Sequence, residues 1–203
     1  MGTETPGRAR APRLSAQERR EAILDAARPI LVEHGPRATT RLIAEAAGIA
    51  EGTIFRTFAT KDDLVAAVFA REMDPEPFFR LIERIDPDLP LRQRLVLGTT
   101  ALQQRFAGIF ALLTAAGAPK PPDDPRHDEQ RERFADRGLT RLLEPDAARL
   151  RLPVAEAVDV LRLLTFAATH PHLNHRQQPM SPEAIVDVVL HGVLDHDTEE
   201  VSP

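Results

Sequence analysis

The chain has 203 residues, no cysteine, no tryptophan or tyrosine, and a formal net charge of −5 at neutral pH. That length buries a sizeable core as one large or two small domains, and the absence of thiols excludes disulfides, thiolate metal sites and a cysteine nucleophile. No apolar run approaches the roughly 18 residues a membrane span needs, no apolar leader opens the chain, and strand-like alternation is nowhere sustained. An all-α, cytoplasmic protein is the expectation.

The charge is unevenly spread. Residues 1–72 carry 11 Lys+Arg against 10 Asp+Glu, a balance of +1, and residues 73–203 carry 15 against 21, a balance of −6. The acidic total argues against a generic nucleic-acid coat. Acidity confined to the distal part would instead steer a polyanion toward the first part.

Residues 1–14 are polar and hold Arg8, Arg10 and Arg13. They read as a disordered arm, or as arginines that reach phosphates or a narrow minor groove. Ser15-Ala16-Gln17-Glu18 is a capping box that starts a helix running to about His34. Ile23, Ala27, Ile30 and Leu31 form its apolar side, Pro29 should bend it, and Gly35-Pro36 ends it. Thr39 or Thr40 caps a short helix with Leu42, Ile43, Ala46 and Ala47 at helical spacing. Gly48 stops that helix, and Ile49 is a lone apolar residue in the turn. A second short helix spans Glu51 to Phe58 with Ile54 and Phe58 inward, leaving Gly52, Thr53, Phe55, Arg56 and Thr57 outside. Thr60 then caps a helix from Lys61 to about Met73, with Leu64, Ala67 and Val68 along one side. Two short helices about a glycine turn form the helix-turn-helix pattern.

This stretch resembles the DNA-binding segment of the TetR family of bacterial transcriptional regulators. The residues that carry the likeness are Thr39-Thr40, Ile43-Ala44, Ala47-Gly48-Ile49, Gly52-Thr53-Ile54-Phe55, Phe58 and Lys61 to Leu64. The resemblance implies that the second short helix enters the major groove of an operator. It implies DNA contacts from Thr39, Thr40, Arg41, Gly52, Thr53, Phe55, Arg56, Thr57 and Lys61. Lys61 would clamp a phosphate at a helix start, and Arg56 would bind guanine O6 and N7 or a phosphate. The chain departs from the family in three places. Ala50 offers no cap oxygen where relatives often have serine or threonine. Phe55 lacks the phenol of the usual tyrosine. Glu51 would repel phosphate, although a carboxylate accepts from cytosine N4.

Beyond about Met73, Asp74-Pro75-Glu76-Pro77 starts an apolar helix with Phe78, Phe79, Leu81, Ile82 and Ile85. The longest helix follows, from about Leu91 to Ala116. Its stripe is Leu95, Thr99, Leu102, Phe106, Ile109 and Leu113, widened by Leu97, Ala101 and Phe110. This wall is plain core, or part of it lines an apolar ligand cavity; Leu102, Phe106, Phe110, Leu113, Phe134 and Phe166 are the candidates. Ala118 to His127 reads as a loop. Asp128 to Leu143 reads as a helix with Phe134, Gly138, Leu142 and Leu143 inside. The last two helices run from Pro153 to about His170 and from Pro182 to about His191.

That final pair is similar to the family's dimer interface, a four-helix bundle with two helices from each copy. Val158, Leu161, Thr165, Ile185, Val188, Val189 and Gly192 would form it, or would close the core of a single copy. Asp195 to Pro203 is an acidic tail. His170, His172 and His175, with His191 and His196 beyond, suit zinc or nickel chemically, but Pro171 breaks their register and no metal is expected. A helical enzyme or metal protein built on these histidines is the alternative. No serine triad, phosphate loop or paired-histidine zinc motif is present. The expectation is a non-enzymatic regulator without cofactor: an arm at 1–14, a helix-turn-helix domain at 15–73, and an effector-binding and dimerisation domain at 74–203. Its partners would be operator DNA, a second copy and a small apolar or amphipathic effector.

Overall fold

The computed structural model describes residues 15–118, 138–173 and 178–193. The arginine arm, most of the loop after Ala118, Phe134, His175 and the acidic tail lie outside the described residues. Among the described residues the regular structure is helical throughout, with no strand. The helices are α1 (Ala16–His34), α2 (Thr40–Ala46), α3 (Glu51–Thr57), α4 (Lys61–Met73), α5 (Glu76–Glu83), α6 (Leu91–Ala116), α7 (Thr140–Leu143), α8 (Val154–Thr169) and α9 (Pro182–Val193). They fall into two compact units that divide between Val68 and Phe69.

In the first unit the capping box at Ser15 and Glu18 is formed in both directions, at 2.7 and 3.1 Å. The Ser15 hydrogen bonds hold the Glu18 carboxyl below the usual range. α1 continues as one helix through Pro29, an exposed position where the missing amide faces water. Its buried residues Ile23, Leu24, Ala27 and Leu31 pack with Ile43 and Ala44 of α2, Ile54 of α3, Phe58, and Leu64 and Val68 of α4 into a small core. Ala46, expected inside, is exposed, and Ala44 takes the buried place.

The second unit has a larger core. Phe78, Phe79 and Ile82 of α5 meet Leu95 and Leu102 of α6, Leu142 and Leu143 of α7, Leu161 of α8 and Val189 of α9. Close packing sets its glycines: a Cβ on Gly98 would lie 2.3 Å from the Leu142 side chain. Leu81 and Leu97, expected in this core, point outward at 47% and 48% exposure. Each helix has apolar residues on more than one side, and only one side finds the interior. Of the helix expected over Asp128–Leu143, the described part is the single turn α7, followed by a 3-10 stretch at Glu144–Arg149.

Arg94 of α6 is the buried polar anchor of this unit. Its guanidinium donates to the carbonyls of Pro87 (2.9 Å), Leu89 (2.6 Å) and Leu142 (3.1 Å) and to the Asp146 carboxylate. One side chain thus ties the turn before α6 to the end of α7 and the 3-10 stretch. Burial works to raise the Asp146 carboxyl, but hydrogen bonds from Arg149 and Arg94 outweigh it and hold the group below the usual carboxylate range.

Replacing Arg94 with methionine leaves three carbonyls without their donor and removes one of the two arginine partners of the partly buried Asp146 carboxylate, the other being Arg149. Arg94→Met is expected to lower stability by about 3–5 kcal/mol, measured by urea denaturation. Because the folded Asp146 pKa is depressed, its contribution is complete above the unfolded value. The difference between the natural chain and Asp146→Asn should therefore fade as pH falls below about 4.

Candidate nucleic-acid interface

The turn between α2 and α3 is built by backbone chemistry. Gly48 has φ of +66°, and a Cβ there would meet nothing within 4 Å, so conformation alone explains the glycine. The Gly48 amide donates to Glu45 O (3.2 Å) and the Ile49 amide to Ala44 O (3.0 Å). This paired closure is the Schellman motif. It turns the chain sharply and sends α3 off at a fixed angle. Ala50 makes no side-chain cap, as expected from its methyl group.

α3 is held from one side. Ile54 and Phe58 are buried, and the Arg20 guanidinium sits 4.5 Å from the Phe58 ring centroid, a cation–π contact from α1. Glu51, Gly52, Phe55 and Arg56 are therefore exposed, Phe55 at 50%. Thr53 and Thr57, also expected outside, are half-buried flank positions, and the Thr57 hydroxyl donates to Thr53 O at 3.3 Å. Arg56 makes no hydrogen bond or ion pair among the described residues, which leaves its guanidinium available.

At the start of α2 the two threonines divide the work. Thr39 is the cap, its hydroxyl accepting from the Leu42 amide at 3.2 Å. The Thr40 hydroxyl donates to the Glu51 carboxylate across the turn. Arg41 is exposed and pairs with Glu45 one turn on, at 3.0 Å. Lys61 opens α4 behind a second capping box, Thr60 with Asp63. Its ammonium lies 3.4 Å from Pro36 O, so a partly buried stem carries a charge beside the loop after α1.

Glu51, weighed from the sequence only as repelling phosphate or accepting from cytosine N4, is a further outward residue of α3. Its spacing one residue before Gly52 was the available signal; its hydrogen bond to Thr40 joins two helices and has no sequence signature.

The residues expected to bind a ligand are dispersed. Leu102 is sealed in the core and lines no opening. Phe106, Phe110 and Phe166 form a ring cluster with centroids 5.1–6.0 Å apart, and His170 joins it 4.6 Å from Phe110. Phe110, Leu113, Thr114, His170 and His172 wall a groove of about 510 Å³ where α6 and α8 end. His170 Nδ1 accepts from the His172 amide at 3.2 Å. Among the described residues no three metal-ligating side chains converge.

Of the two roles open to the last helix pair, most of the named residues take the one inside a single copy. Val158, Leu161, Thr165, Ile185 and Val189 are buried within this protomer's own core. Both helices carry apolar residues on two sides, and counting at three and four residues finds each side equally well. The outward apolar residues are Val160, Leu163 (56% exposed) and Phe166 on α8 and Val188 (55%) on α9. Gly192 is exposed, with open space over its Cα.

A glycine-turned helix pair with one polar outer face, braced by a third helix, is the helix-turn-helix class of DNA reader. Residues 23–68 match the family model described as bacterial regulatory proteins, tetR family. Residues 23–68 are thus similar to the DNA-binding segment of that family. It is 40% identical over 83 residues to the uncharacterised HTH-type transcriptional regulator YvkB of Bacillus subtilis, covering 40% of this chain and 42% of that one. It is 38% identical over 106 residues to the HTH-type transcriptional repressor Rv3405c of Mycobacterium tuberculosis, covering 46% and 56%. The chain thus spans about half the length of these curated relatives. Its fold is similar to that of LfrR from Mycobacterium smegmatis, solved with proflavine, at a TM-score of 0.58 and 23% identity over 89% of this chain and 99% of that one.

The chain itself gives no reason for glycine at position 52, where an added Cβ meets nothing within 4 Å. Gly52→Ala should therefore raise thermal stability, by up to about 1 kcal/mol. If a DNA backbone or base edge is what approaches there, the same change weakens binding, and a titration with labelled duplex reads that loss.

Proposed function

We propose that the protein is a homodimeric transcriptional repressor that binds a palindromic operator through α3 and leaves it when a small apolar or amphipathic ligand binds. The observation that carries this reading is the outer face of α3. Glu51, Gly52, Phe55 and Arg56 stand free of the core while Ile54 and Phe58 hold the helix from behind. A free arginine beside an aromatic ring and an uncovered glycine suits a major-groove surface better than a protein core.

Dimerisation follows from the reach of one helix. A single α3 reads too few base pairs, and a two-fold pair spaces two readers about 34 Å apart, one turn of DNA. Val160, Leu163 and Val188 supply an apolar surface for the second copy, and the small exposed Gly192 lets helices approach closely. The repressor sense is supported by the name of the Mycobacterium tuberculosis relative.

Ligand response is supported by the groove and by the proflavine complex of LfrR. Phe110 lines the groove, and Arg105 lies five residues earlier on the same helix. Its guanidinium donates to Met73 O (2.5 Å) and Asp74 O (2.6 Å), taking up the end of α4. A ligand that shifts α6 would draw on α4, whose first residue is Lys61. DNA affinity then falls by the ligand's differential affinity for the two arrangements.

Competition binding with specific and random duplexes tests the reader. Arg56→Ala should cost about 1–3 kcal/mol on the preferred sequence and relax base preference. Lys61→Ala should weaken all sequences alike and reduce the salt slope by about 1. Equal losses on both DNAs for Arg56→Ala would refute a base contact. Leu163→Asp should convert a dimer to a monomer in analytical ultracentrifugation and abolish operator binding without lowering helix content. Release is tested by titrating planar aromatic compounds against the bound operator; a Phe110→Ala protein should need more compound for half-release.

A further inference from the structure

We propose that Glu51 is a specificity-determining residue that selects cytosine at one position of each half-site, and that Thr40 positions it. The proposal rests on the reading of α3 as a DNA reader.

Glu51 sits on the same exposed face as Phe55 and Arg56. Its carboxylate is not loose: the Thr40 hydroxyl, anchored on α2, donates to Oε1. Oε2 has no hydrogen-bond partner among the described residues. The nearby cation is already engaged, because Arg41 Nε donates to Glu45 at 3.0 Å. One acceptor oxygen is thus held on the reading face; Arg41 acts on its charge only through space, as the last of the influences on that guanidinium, and donates its hydrogen bond to Glu45 instead.

The chemistry narrows what such an oxygen can meet. Phosphate repels it. In the major groove the only base donors are adenine N6 and cytosine N4. Adenine places the N7 acceptor beside its amino group, which opposes the second carboxylate oxygen. Cytosine places a C–H there instead. A carboxylate fixed on this face therefore excludes phosphate, guanine and thymine, and favours cytosine over adenine. The rival role is purely structural, with Glu51 as a brace from α3 to α2. A brace would act on every DNA sequence equally.

The test enriches binding sites from a pool of random-sequence duplexes with the full-length chain, Glu51→Gln and Thr40→Val, after thermal melts show that each variant folds. The natural chain should enrich cytosine at one position per half-site, preferred over the other bases by roughly 5- to 150-fold. Glu51→Gln should lose that preference and move toward adenine, the base glutamine reads in bidentate fashion. Its binding to random DNA should tighten. Thr40→Val should keep the same base but shrink the preference several-fold.

An unchanged sequence preference in Glu51→Gln, with affinity raised equally on all DNA, overturns the proposal and leaves the brace. An unchanged preference in Thr40→Val overturns the positioning role. If the natural chain enriches no sequence, the reading of α3 as a DNA reader fails, and this proposal with it; that outcome is visible before any variant is compared.

Discussion

What faces outward on α3 does so because Ile54 and Phe58 cannot. Ile54 occupies the inner side of a helix of only seven residues, and Phe58, four residues on, is buried as its C-cap. So short a helix has little stability alone. Its position is borrowed from α1, through Arg20 over the Phe58 ring, and from α2, through the bonds that close the Gly48 turn. Remove the inner contacts and the outer face has no fixed direction. The same constraint explains why Ala50 can dispense with a cap: burial and the turn supply what a hydroxyl would have added.

The first unit was largely legible because its signals are local. A capping box, a glycine at positive φ and apolar pairs four apart are written in adjacent residues, and Ser15, Gly48, Ile54 and Phe58 all take the roles their spacing implies. Legibility stops where a role depends on a partner distant in sequence. Thr40 reads equally well as a cap or a phosphate ligand. Only the folded turn brings it to Glu51, eleven residues on, and makes its hydroxyl an orienting group. Arg94 is the stronger case. A lone arginine in an apolar helix looks like a solvated charge, yet it is buried and bonded to three carbonyls on two separate backbone segments.

In the second unit helix existence was readable and helix orientation was not. α6, α8 and α9 begin and end close to where proline, glycine and periodicity put them. Which side turns inward is a matter of what the neighbours offer. α8 presents Val158, Leu161 and Thr165 on one side and Val160 and Leu163 on another. The first set meets α6 and α9 and is covered. The second keeps its exposure. An apolar stripe in sequence therefore marks a buried surface without saying whether the burial lies within one chain.

The end of α4 is held by a partner that is equally invisible in the sequence. α4 belongs to both units: it starts at Lys61 in the first, and its last turn lies beyond the division at Val68. Arg105 holds the end of that helix, donating to Met73 O in its last turn and to Asp74 O just beyond it. Burial draws the Arg105 guanidinium toward losing its proton, yet an arginine guanidinium stays charged in proteins, so the hold on α4 does not titrate. The groove beside Phe110 and the carbonyls of α4 thus share one rigid element, α6.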